Sequence, residues 1–307
     1  MKNTKTGFIA IVGRPNVGKS SLLNYIVGQK VAIVSEKPQT TRTRIMGVYT
    51  RDESQIVYID TPGFHKPRNT LGEKMIKAVS SGLCDVDAVM FVVDATADFK
   101  RGEDTLPIAE QELIKVINSK KLKTILAINK IDLLKEKSEL LRIISCYTKH
   151  LDFEAVVPVS AITGDGVDEL INEQLEFCKE SPHFFPEDVV TDQPENIMVA
   201  ELIREKLLHL LDKEIPHGIA IDIESFFERD NAQGQPVLEV SAVIYCEKES
   251  HKGIIIGKRG AMLKQVGSAA RKDIEEFFGC KTNLQLWVKV KENWRNRQGL
   301  IHTFGLD

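Results

Sequence analysis

The sequence predicts a two-domain protein, with an α/β domain in the first half and an α+β domain in the second. In the first half, short apolar runs typical of buried parallel strands alternate with segments of helical periodicity. That alternation predicts a mostly parallel sheet with helices on both faces. In the second half, a helical segment precedes two alternating strands, two helical segments and a last strand. A length of 307 residues suffices for two such domains.

The bulk composition is ordinary: 28% of the residues are charged and 42% are hydrophobic, and the net charge is −3. The whole-chain charge therefore does not indicate a nucleic-acid-binding protein. The five cysteines are far apart and form no CxxC pair, which argues against a zinc site or a disulfide framework. No apolar stretch approaches the roughly 18 residues of a membrane span. We expect a cytoplasmic protein, and peripheral association with the membrane stays open.

The chain is predicted to begin with a strand, followed by a glycine-containing loop and a helix. An apolar run at 8–12 leads into GRPNVGKS at 13–20, and a helical pattern follows at 21–27. This is the context of a P-loop, in which Lys19 would reach the β- and γ-phosphates of a nucleotide and Ser20 would bind Mg²⁺. The nucleotide-binding residues predicted in this stretch are Gly13, Arg14, Pro15, Asn16, Val17, Gly18, Lys19, Ser20 and Ser21.

A polar segment, 35–44, has neither helical nor strand periodicity. We interpret it as a loop that supplies a threonine hydroxyl to Mg²⁺ when a γ-phosphate is present. Thr41, which directly precedes Arg42, is the preferred ligand, and Thr40 is the alternative because spacing does not separate the two. A polar loop without a function is the other interpretation.

The run 45–49 predicts an edge strand, and the run 55–59 predicts another strand, which ends in DTPG. Asp60 at the end of this strand would hold Mg²⁺ through water. Gly63 would offer its N–H to the γ-phosphate without side-chain hindrance. The predicted nucleotide-binding residues here are Asp60, Thr61, Pro62 and Gly63.

Three further buried strands and two helices are predicted in the first half: strands 86–93, 122–128 and 156–159, and helices 104–118 and 167–178. The strand 122–128 ends in NKID, and the strand 156–159 ends in Ser160 and Ala161. All candidate residues thus follow the carboxyl ends of strands, where open α/β sheets bind ligands.

With GRPNVGKS, DTPG, NKID and the SA pair in this order and spacing, the first half resembles the translation-factor class of P-loop GTPases. The resemblance implies binding of GTP and GDP with Mg²⁺. It implies that Asp132 accepts hydrogen bonds from guanine N1–H and the 2-amino group, which adenine cannot satisfy. It also implies that Asn129 braces the loop, that the stem of Lys130 covers the base, and that the main chain of Ser160 and Ala161 reads guanine O6.

Two residues depart from the Ras-type pattern. Phe64 stands where those enzymes place a water-orienting glutamine. Asn16 is similar to the P-loop asparagine with which related GTPases hold K⁺, so we expect hydrolysis to be faster in K⁺ than in Na⁺. No motif side chain is an obvious general base, which predicts slow catalysis by positioning and charge stabilisation. The predicted catalytic residues are Lys19, Thr41, Gly63 and Asn16, and the predicted metal ligands are Ser20, Thr41 and Asp60.

The periodicity stops at 179–195, a segment with three prolines that predicts a linker. We expect Phe184 and Phe185 to pack against a domain. The predicted divisions are a GTP-binding domain at 1–178, the linker, and an RNA-binding domain at 196–307.

The second half resembles the type II K-homology fold. Its predicted elements are an amphipathic helix at 196–212, strands at 219–226 and 237–245, the segment HKGIIIGKRG, a helix at 261–278 and a strand at 282–291. In that fold the GxxG loop clamps about four single-stranded nucleotides. The predicted RNA-binding residues are Ile256, Gly257, Lys258, Arg259, Gly260 and Lys264. Taken alone, GKRG could also be a turn with two basic residues.

Charge supports this interpretation, because residues 251–307 contain eleven basic and five acidic residues, whereas 196–250 contain five basic and eleven acidic. Trp287 alternates with apolar neighbours and is expected in the core rather than as a platform on which bases stack, while Trp294 could be either.

The combination of the two halves resembles the Era family of bacterial GTPases over essentially the full length. The resemblance implies a GTP-hydrolysing switch that binds the 3′ end of 16S ribosomal RNA and assists assembly of the 30S subunit. It also implies association with the inner face of the membrane, and we expect a monomer. The alternative is a signalling or membrane-associated GTPase whose second domain binds proteins.

Overall fold

The computed structural model describes residues 4–64, 67, 69–96, 106–212 and 215–306. The chain divides into two compact units. Unit 1 comprises residues 1–32, 41–67 and 75–192, and unit 2 comprises residues 33–40, 68–74 and 193–307. A short segment of the first half, 33–40, is therefore part of the same unit as the C-terminal elements.

The strands of the first half are β1 (Lys5–Val12), β2 (Ile45–Arg51), β3 (Ser54–Asp60), β4 (Ala88–Asp94), β5 (Thr124–Asn129), β6 (Ala155–Pro158) and β7 (Lys179–Glu180). The helices are α1 (Lys19–Val27), α2 (Thr70–Gly82), α3 (Ile108–Lys120), α4 (Lys137–Thr148) and α5 (Val167–Leu175). The sequence does not predict α2 and α4. The predicted start of the third helix, Asp104, lies outside the described residues.

The strands of unit 1 form one sheet in the order β2-β3-β1-β4-β5-β6, with β7 paired to β1. All neighbours are parallel except β2 with β3 and β7 with β1. The predicted mostly parallel sheet is confirmed. Because β1, β3, β5 and β6 run in one direction, the four motif loops that follow them share one edge of the sheet.

Both faces of this sheet are buried. Along β1, Ile9 and Ile11 contact one apolar cluster, which includes residues of α1 and α5. Ala10 and Val12 contact the other cluster, which includes residues of α2, α3 and α4. Strands covered on both faces need apolar residues at successive positions, which explains the unbroken apolar runs.

The segment after α5 is anchored to unit 1 mainly through its main chain. The Gln55 side chain accepts from the N–H groups of Phe184 and Phe185 at 2.9 and 3.0 Å and donates to the Phe185 oxygen at 2.9 Å. The ring of Phe184 has an edge contact with Phe8, but Phe184 remains 60% exposed. The ring of Phe184 thus packs against unit 1 as predicted, at its surface, and the amide of Gln55 holds the main chain beside it.

The C-terminal elements are α6 (Glu195–Leu210), β8 (Ala220–Asp230), β9 (Pro236–Cys246), α7 (Glu249–Ile256), α8 (Ala261–Phe278), β10 (Lys281–Val290) and α9 (Gln298–Thr303). The strands form a sheet in the order β10-β9-β8, with β10 parallel and β8 antiparallel to β9. The predicted α-β-β-α-α-β order is confirmed, and α9 follows it.

The two tryptophans differ in environment. Trp294 is fully buried, and its indole N–H donates to the Gly218 oxygen at 2.9 Å. Trp287 is 57% exposed, so its predicted core position is wrong. Its neighbours Leu286 and Val288 are the half-buried residues of β10, and alternation places Trp287 on the opposite face of the sheet.

Candidate functional site

The P-loop connects the end of β1 with the start of α1. Gly18 has a φ of 94°, and a Cβ there would lie 2.1 Å from Nδ2 of Asn129. Only glycine fits this position without displacing Asn129. Val17 is buried, whereas Pro15 and Ser21 are half-buried.

Lys19 is a buried cation directed into the P-loop. Its ammonium group donates to the main-chain oxygens of Arg14 at 3.0 Å and Gly13 at 3.3 Å. Burial lowers the pKa of Lys19 to about 8, although the nearby charge of Asp60 acts in the opposite direction. An anionic phosphate in the loop would stabilise the charged form, which is what the predicted role requires.

Ser20, Thr41 and Asp60 form an oxygen-rich cluster beside Lys19. The Ser20 hydroxyl donates to Oδ2 of Asp60 at 2.7 Å and lies 2.9 Å from the Thr41 hydroxyl. The Thr40 hydroxyl instead donates to the Lys37 oxygen at 2.6 Å. Of the two threonines that the sequence leaves open, Thr41 is thus the one beside Ser20 and Asp60.

The cluster fits a divalent cation. Burial raises the pKa of Asp60 to about 6, with Lys19 and the hydrogen bond from Ser20 opposing the rise. Oδ1 of Asp60 is buried and has no hydrogen-bond partner among the described residues. Within the same described ranges, no three His, Cys, Asp or Glu side chains are grouped so that they could hold a metal. A cation here would use hydroxyl, carboxylate and nucleotide oxygens, the ligand type that Mg²⁺ prefers.

The DTPG turn is attached to the P-loop. The Thr61 hydroxyl donates to the Ile11 oxygen at 2.8 Å, and the N–H of Phe64 donates to the Gly13 oxygen at 3.1 Å. Pro62 is buried, and a Cβ on Gly63 would lie 2.7 Å from Pro15. Phe64 packs against the core cluster that includes α2 to α4. The apolar ring thus contributes to packing.

The Arg14 side chain does not extend freely toward a ligand, because its Nε donates to the carboxylate of Glu110 in α3. Glu110 is fully buried and also accepts from the Tyr147 hydroxyl at 2.6 Å. Sequence reasoning missed Glu110 and Tyr147. The sequence offered no signal for them, since each is an isolated polar residue within a helical segment.

The loops that end β5 and β6 are joined by Asn129. Its oxygen accepts from the Ala161 N–H at 3.0 Å, and its amide donates to the Val17 oxygen at 2.8 Å. Ser160 is buried, and its hydroxyl accepts from the Thr163 N–H at 3.1 Å. Asp132 is exposed at the same edge of the sheet.

Lys130 has a φ of 69°, and its ammonium group donates to Oδ2 of Asp94 at 2.6 Å and to the Asn16 oxygen at 2.8 Å. Burial alone would raise the pKa of Asp94, but hydrogen bonds from Lys130 and Thr96 outweigh it and lower the pKa. Asp94 was not predicted, although a carboxylate directly after the apolar run 86–93 was a possible signal.

In unit 2, the GKRG turn joins α7 to α8. Gly257 and Gly260 have φ values of 73° and 78°, and Arg259 has a φ of 52°. Lys258 and Arg259 are exposed, while Ile256 is half-buried. The turn therefore presents two cations beside the open main chain of Gly260.

A groove of about 390 Å³ begins at this turn. It is bordered by one face of α8 and by two leucines of β10, and its lining residues are Gly260, Leu263, Lys264, Gly267, Ser268, Arg271, Leu284 and Leu286. Gly260 and Lys264 were predicted as RNA-binding residues. Of the other predicted residues, Ile256 ends α7, and Gly257, Lys258 and Arg259 lie in the turn that precedes Gly260. The groove combines an apolar floor with two cations, a combination suited to bases and phosphates.

Comparison with known proteins supports the two-site organisation. Residues 8–130 match a family described as 50S ribosome-binding GTPase, and residues 214–295 match the KH domain family. The chain is 51% identical to GTPase Era of Clostridioides difficile, with 98% of each chain covered. It is 48% identical to GTPase Era of Ruminiclostridium cellulolyticum, covering 98% of this chain and 97% of the relative.

Two solved structures are similar over 99% of both chains. One is a tyrosine-to-alanine variant of Aquifex aeolicus Era bound to GDP and AlF4⁻, at 36% identity and a TM-score of 0.90. The other is Era in complex with MgGDPNP and nucleotides 1506–1542 of 16S ribosomal RNA, at 37% identity and a TM-score of 0.91. In the described part of the chain, we find no helix long and apolar enough to span a membrane.

Proposed function

Since the chain belongs to the Era family of GTPases, we propose that it is a switch that binds the 3′ end of 16S ribosomal RNA and assists assembly of the small (30S) ribosomal subunit. The observation that carries this proposal is the groove beside GKRG, which offers Lys264 and Arg271 above two leucines. The relative in complex with MgGDPNP and a 16S RNA fragment supports the same ligand for this groove.

At the nucleotide site, the N–H groups of the P-loop and the ammonium group of Lys19 hold the phosphates. Ser20 and Thr41 with Asp60 hold Mg²⁺, which neutralises charge that develops on the phosphates. The N–H of Gly63 meets the γ-phosphate. Among the described residues of the site, no side chain is placed as a general base, so these groups act by orientation and charge stabilisation.

Guanine specificity rests on Asp132, whose carboxylate accepts from N1–H and the 2-amino group. Adenine would leave that carboxylate without donors, and ATP is rejected for this reason. Asn129 and Lys130 fix the loop that carries Asp132, because each contacts the P-loop main chain directly. The main chain of Ser160 and Ala161, facing guanine O6, completes base recognition.

The RNA site reads single-stranded nucleotides. Close approach of the phosphate backbone is possible at Gly260, because no atom among the described residues lies within 4 Å of the position of a Cβ there. Lys258, Arg259 and Lys264 supply positive charge, which makes binding dependent on salt. Bases would lie on Leu284 and Leu286 at the floor of the groove.

Nucleotide and RNA binding are coupled in this proposal: GTP orders residues 35–44, and hydrolysis changes access of RNA to GKRG. Equal RNA affinity with GDP and with a non-hydrolysable GTP analogue would reject the coupling. We place the protein, as a monomer, in the cytoplasm, and cell fractionation tests the peripheral membrane association that the family resemblance implies.

The decisive experiment is ultraviolet crosslinking of the protein to RNA in cells, followed by sequencing. We expect enrichment at the 3′ end of 16S RNA and its loss in the double variant Lys258→Asp, Arg259→Asp. The matched control is Lys115→Asp, Lys149→Asp, which makes the same charge change at exposed lysines of unit 1. Enrichment that persists in the first variant would show that Lys258 and Arg259 do not carry RNA binding and would overturn the role of GKRG. Recovery of no specific RNA would make unit 2 a candidate protein-docking domain and leave the GTPase assignment intact.

A further inference from the structure

Residues 34–40, which include the first part of the predicted Mg²⁺-binding loop at 35–44, are held within unit 2 by helix α6. Oε1 of Glu205 accepts from the Val34 N–H at 2.9 Å, and Nε2 of His209 lies 3.0 Å from the Val34 oxygen. At the other end of the segment, Arg204 donates to the main-chain oxygens of Gln39, at 3.5 Å, and Thr40. Side chains of α6 thus hold both ends of the segment through its main-chain atoms.

The two side chains that make most of these contacts are buried charges. Arg204 is 2% exposed and Glu205 is 3% exposed. Arg204 forms two further bonds to the carboxylate of Glu201, at 2.7 and 2.5 Å. Glu205 pairs with Lys206 at 3.0 Å, and Lys206 also pairs with Asp273 of α8. Burying charge is unfavourable unless each group is paired, and here the pairing is completed by the segment 34–40.

The segment has a conformation that needs support. Gln39 is in the left-handed region, with a φ of 63°, which a non-glycine residue rarely adopts unless its surroundings hold it there. The Thr40 hydroxyl is bonded to the Lys37 oxygen. The next residue is Thr41, whose hydroxyl lies 2.9 Å from that of Ser20. The main-chain path through Gln39 and Thr40 therefore determines where the Thr41 hydroxyl points.

We propose that Arg204 and Glu205 are positioning residues for the nucleotide site, which hold residues 34–40 so that Thr41 is presented beside Ser20 and Asp60. This inference rests on the proposed role of Thr41 as a ligand in the GTP-bound state. Its consequence is selective, since GDP lacks the γ-phosphate that orders this loop. Loss of the contacts from α6 weakens binding of GTP with Mg²⁺ and leaves binding of GDP nearly unchanged.

The test measures equilibrium binding of fluorescent GDP and of a fluorescent non-hydrolysable GTP analogue to the full chain, with Mg²⁺. In Arg204→Met, which removes the donors and keeps the length of the side chain, we expect affinity for the analogue to fall about 10-fold, the effect of one charge-assisted hydrogen bond. In the same variant, affinity for GDP should change by less than about twofold. If Arg204→Met does not fold, Arg204→Lys, which keeps the charge and loses the planar fork, takes its place.

Two matched variants separate positioning from general loss of structure. Glu205→Gln keeps an oxygen for the Val34 N–H and should retain most of the affinity that Glu205→Met loses. Arg229→Ala removes an exposed arginine of the same unit, paired with Glu239, and should change neither affinity. Equal losses for GDP and the analogue, or no loss in Arg204→Met, would overturn the proposal.

A double-mutant cycle with Thr41→Ala identifies the route of the effect. If Arg204 acts through Thr41, Arg204→Met has no further effect on analogue binding in the Thr41→Ala background, whereas additive losses would overturn the proposal. If Thr41→Ala by itself leaves analogue binding unchanged, the proposed metal ligand is wrong and this inference fails with it. If Thr41→Ala weakens analogue binding but Arg204→Met does not, Thr41 remains the proposed metal ligand and the positioning role of Arg204 is wrong.

Discussion

The carboxamide of Asn129 donates a hydrogen bond to the main-chain oxygen of Val17 at 2.8 Å and so ties the end of β5 to the P-loop. The oxygen of the same carboxamide accepts from the Ala161 N–H at 3.0 Å. One side chain therefore joins three loops that follow different strands. The base-binding and phosphate-binding parts of the nucleotide site have a fixed separation for this reason.

We expect Asn129→Asp to weaken GDP and GTP binding equally. The substitution replaces an N–H donor by an oxygen that faces the Val17 carbonyl, and loss of about 2 kcal/mol corresponds to about 30-fold in affinity. Isothermal titration with GDP measures the change. Asn172→Asp, at an exposed amide whose oxygen accepts from Arg51 at 2.6 Å, is the control and should bind normally. Normal GDP affinity in Asn129→Asp would contradict the bracing role.

Removing the P-loop arginine should destabilise unit 1. In Arg14→Met, the buried carboxylate of Glu110 keeps the Tyr147 hydroxyl as its one remaining side-chain partner among the described residues. Leaving a buried charge half-paired costs about 3 kcal/mol of unfolding free energy, at the low end of the usual range because Arg14 is partly exposed. Urea denaturation followed by circular dichroism measures this.

The double variant Arg14→Met, Glu110→Gln should recover more than half of that loss, since no buried charge remains. Tyr147→Phe should cost only about 1 kcal/mol, the contribution of one hydrogen bond. If Arg14→Met had the same denaturation midpoint as the parent protein, burial of the Glu110 carboxylate would not require its ion pair with Arg14.

Hydrolysis should be faster in K⁺ than in Na⁺ at equal ionic strength, because Asn16 is similar to the asparagine that helps related GTPases hold K⁺. Its main-chain oxygen already accepts from Lys130, so the side chain is the group that a substitution tests. Phosphate release is the measurement, and Asn16→Ala should reduce the difference between the salts. Equal rates in both salts in the parent protein would reject the K⁺ role.

The two glycines of GKRG should respond differently to alanine. A Cβ on Gly257 would lie 2.7 Å from Cβ and 2.8 Å from N of Met262, whereas no described atom lies within 4 Å of a Cβ on Gly260. Gly260→Ala should cost only the left-handed strain of about 1 kcal/mol, and Gly257→Ala more than twice that. Thermal denaturation measures both.

Binding of single-stranded RNA provides the second readout. Gly260→Ala should weaken RNA binding despite its small effect on stability, because its methyl group occupies space that a phosphate would approach. Fluorescence anisotropy of a labelled oligonucleotide measures the affinity. Unchanged RNA affinity in a folded Gly260→Ala variant would argue against close approach at this glycine.

The two tryptophans should be distinguishable in fluorescence. Trp287 is 57% exposed and Trp294 is fully buried, so iodide should quench only part of the emission of the folded protein. Trp287→Phe should remove the quenched part and shift the remaining emission to shorter wavelength. Equal quenching of the parent and of Trp287→Phe would place Trp287 in the interior, where the alternating sequence pattern predicted it.

Much of the nucleotide site and of the fold could be predicted from the sequence, because the determinants are local. A strand followed by GRPNVGKS and a helix specifies a P-loop within about twenty residues, and an unbroken apolar run specifies a strand buried on both faces. The GKRG turn between two helices is likewise specified by residues that are close in the sequence. The α2 and α4 helices were not predicted, although both have a clear amphipathic periodicity in the sequence.

Other properties were decided by contacts between residues that are distant in the chain. Three such properties have no signature in the neighbouring sequence: the position of the Thr41 hydroxyl beside Ser20, the pairing of Arg14 with Glu110 and the exposure of Trp287. The clearest case is α6, which the sequence predicts to have one apolar face. Its polar residues Arg204 and Glu205 are also buried, because residues 34–40 contact them. The periodicity of a helix reflects only its own sequence, whereas the burial of its side chains depends on every segment that packs against it.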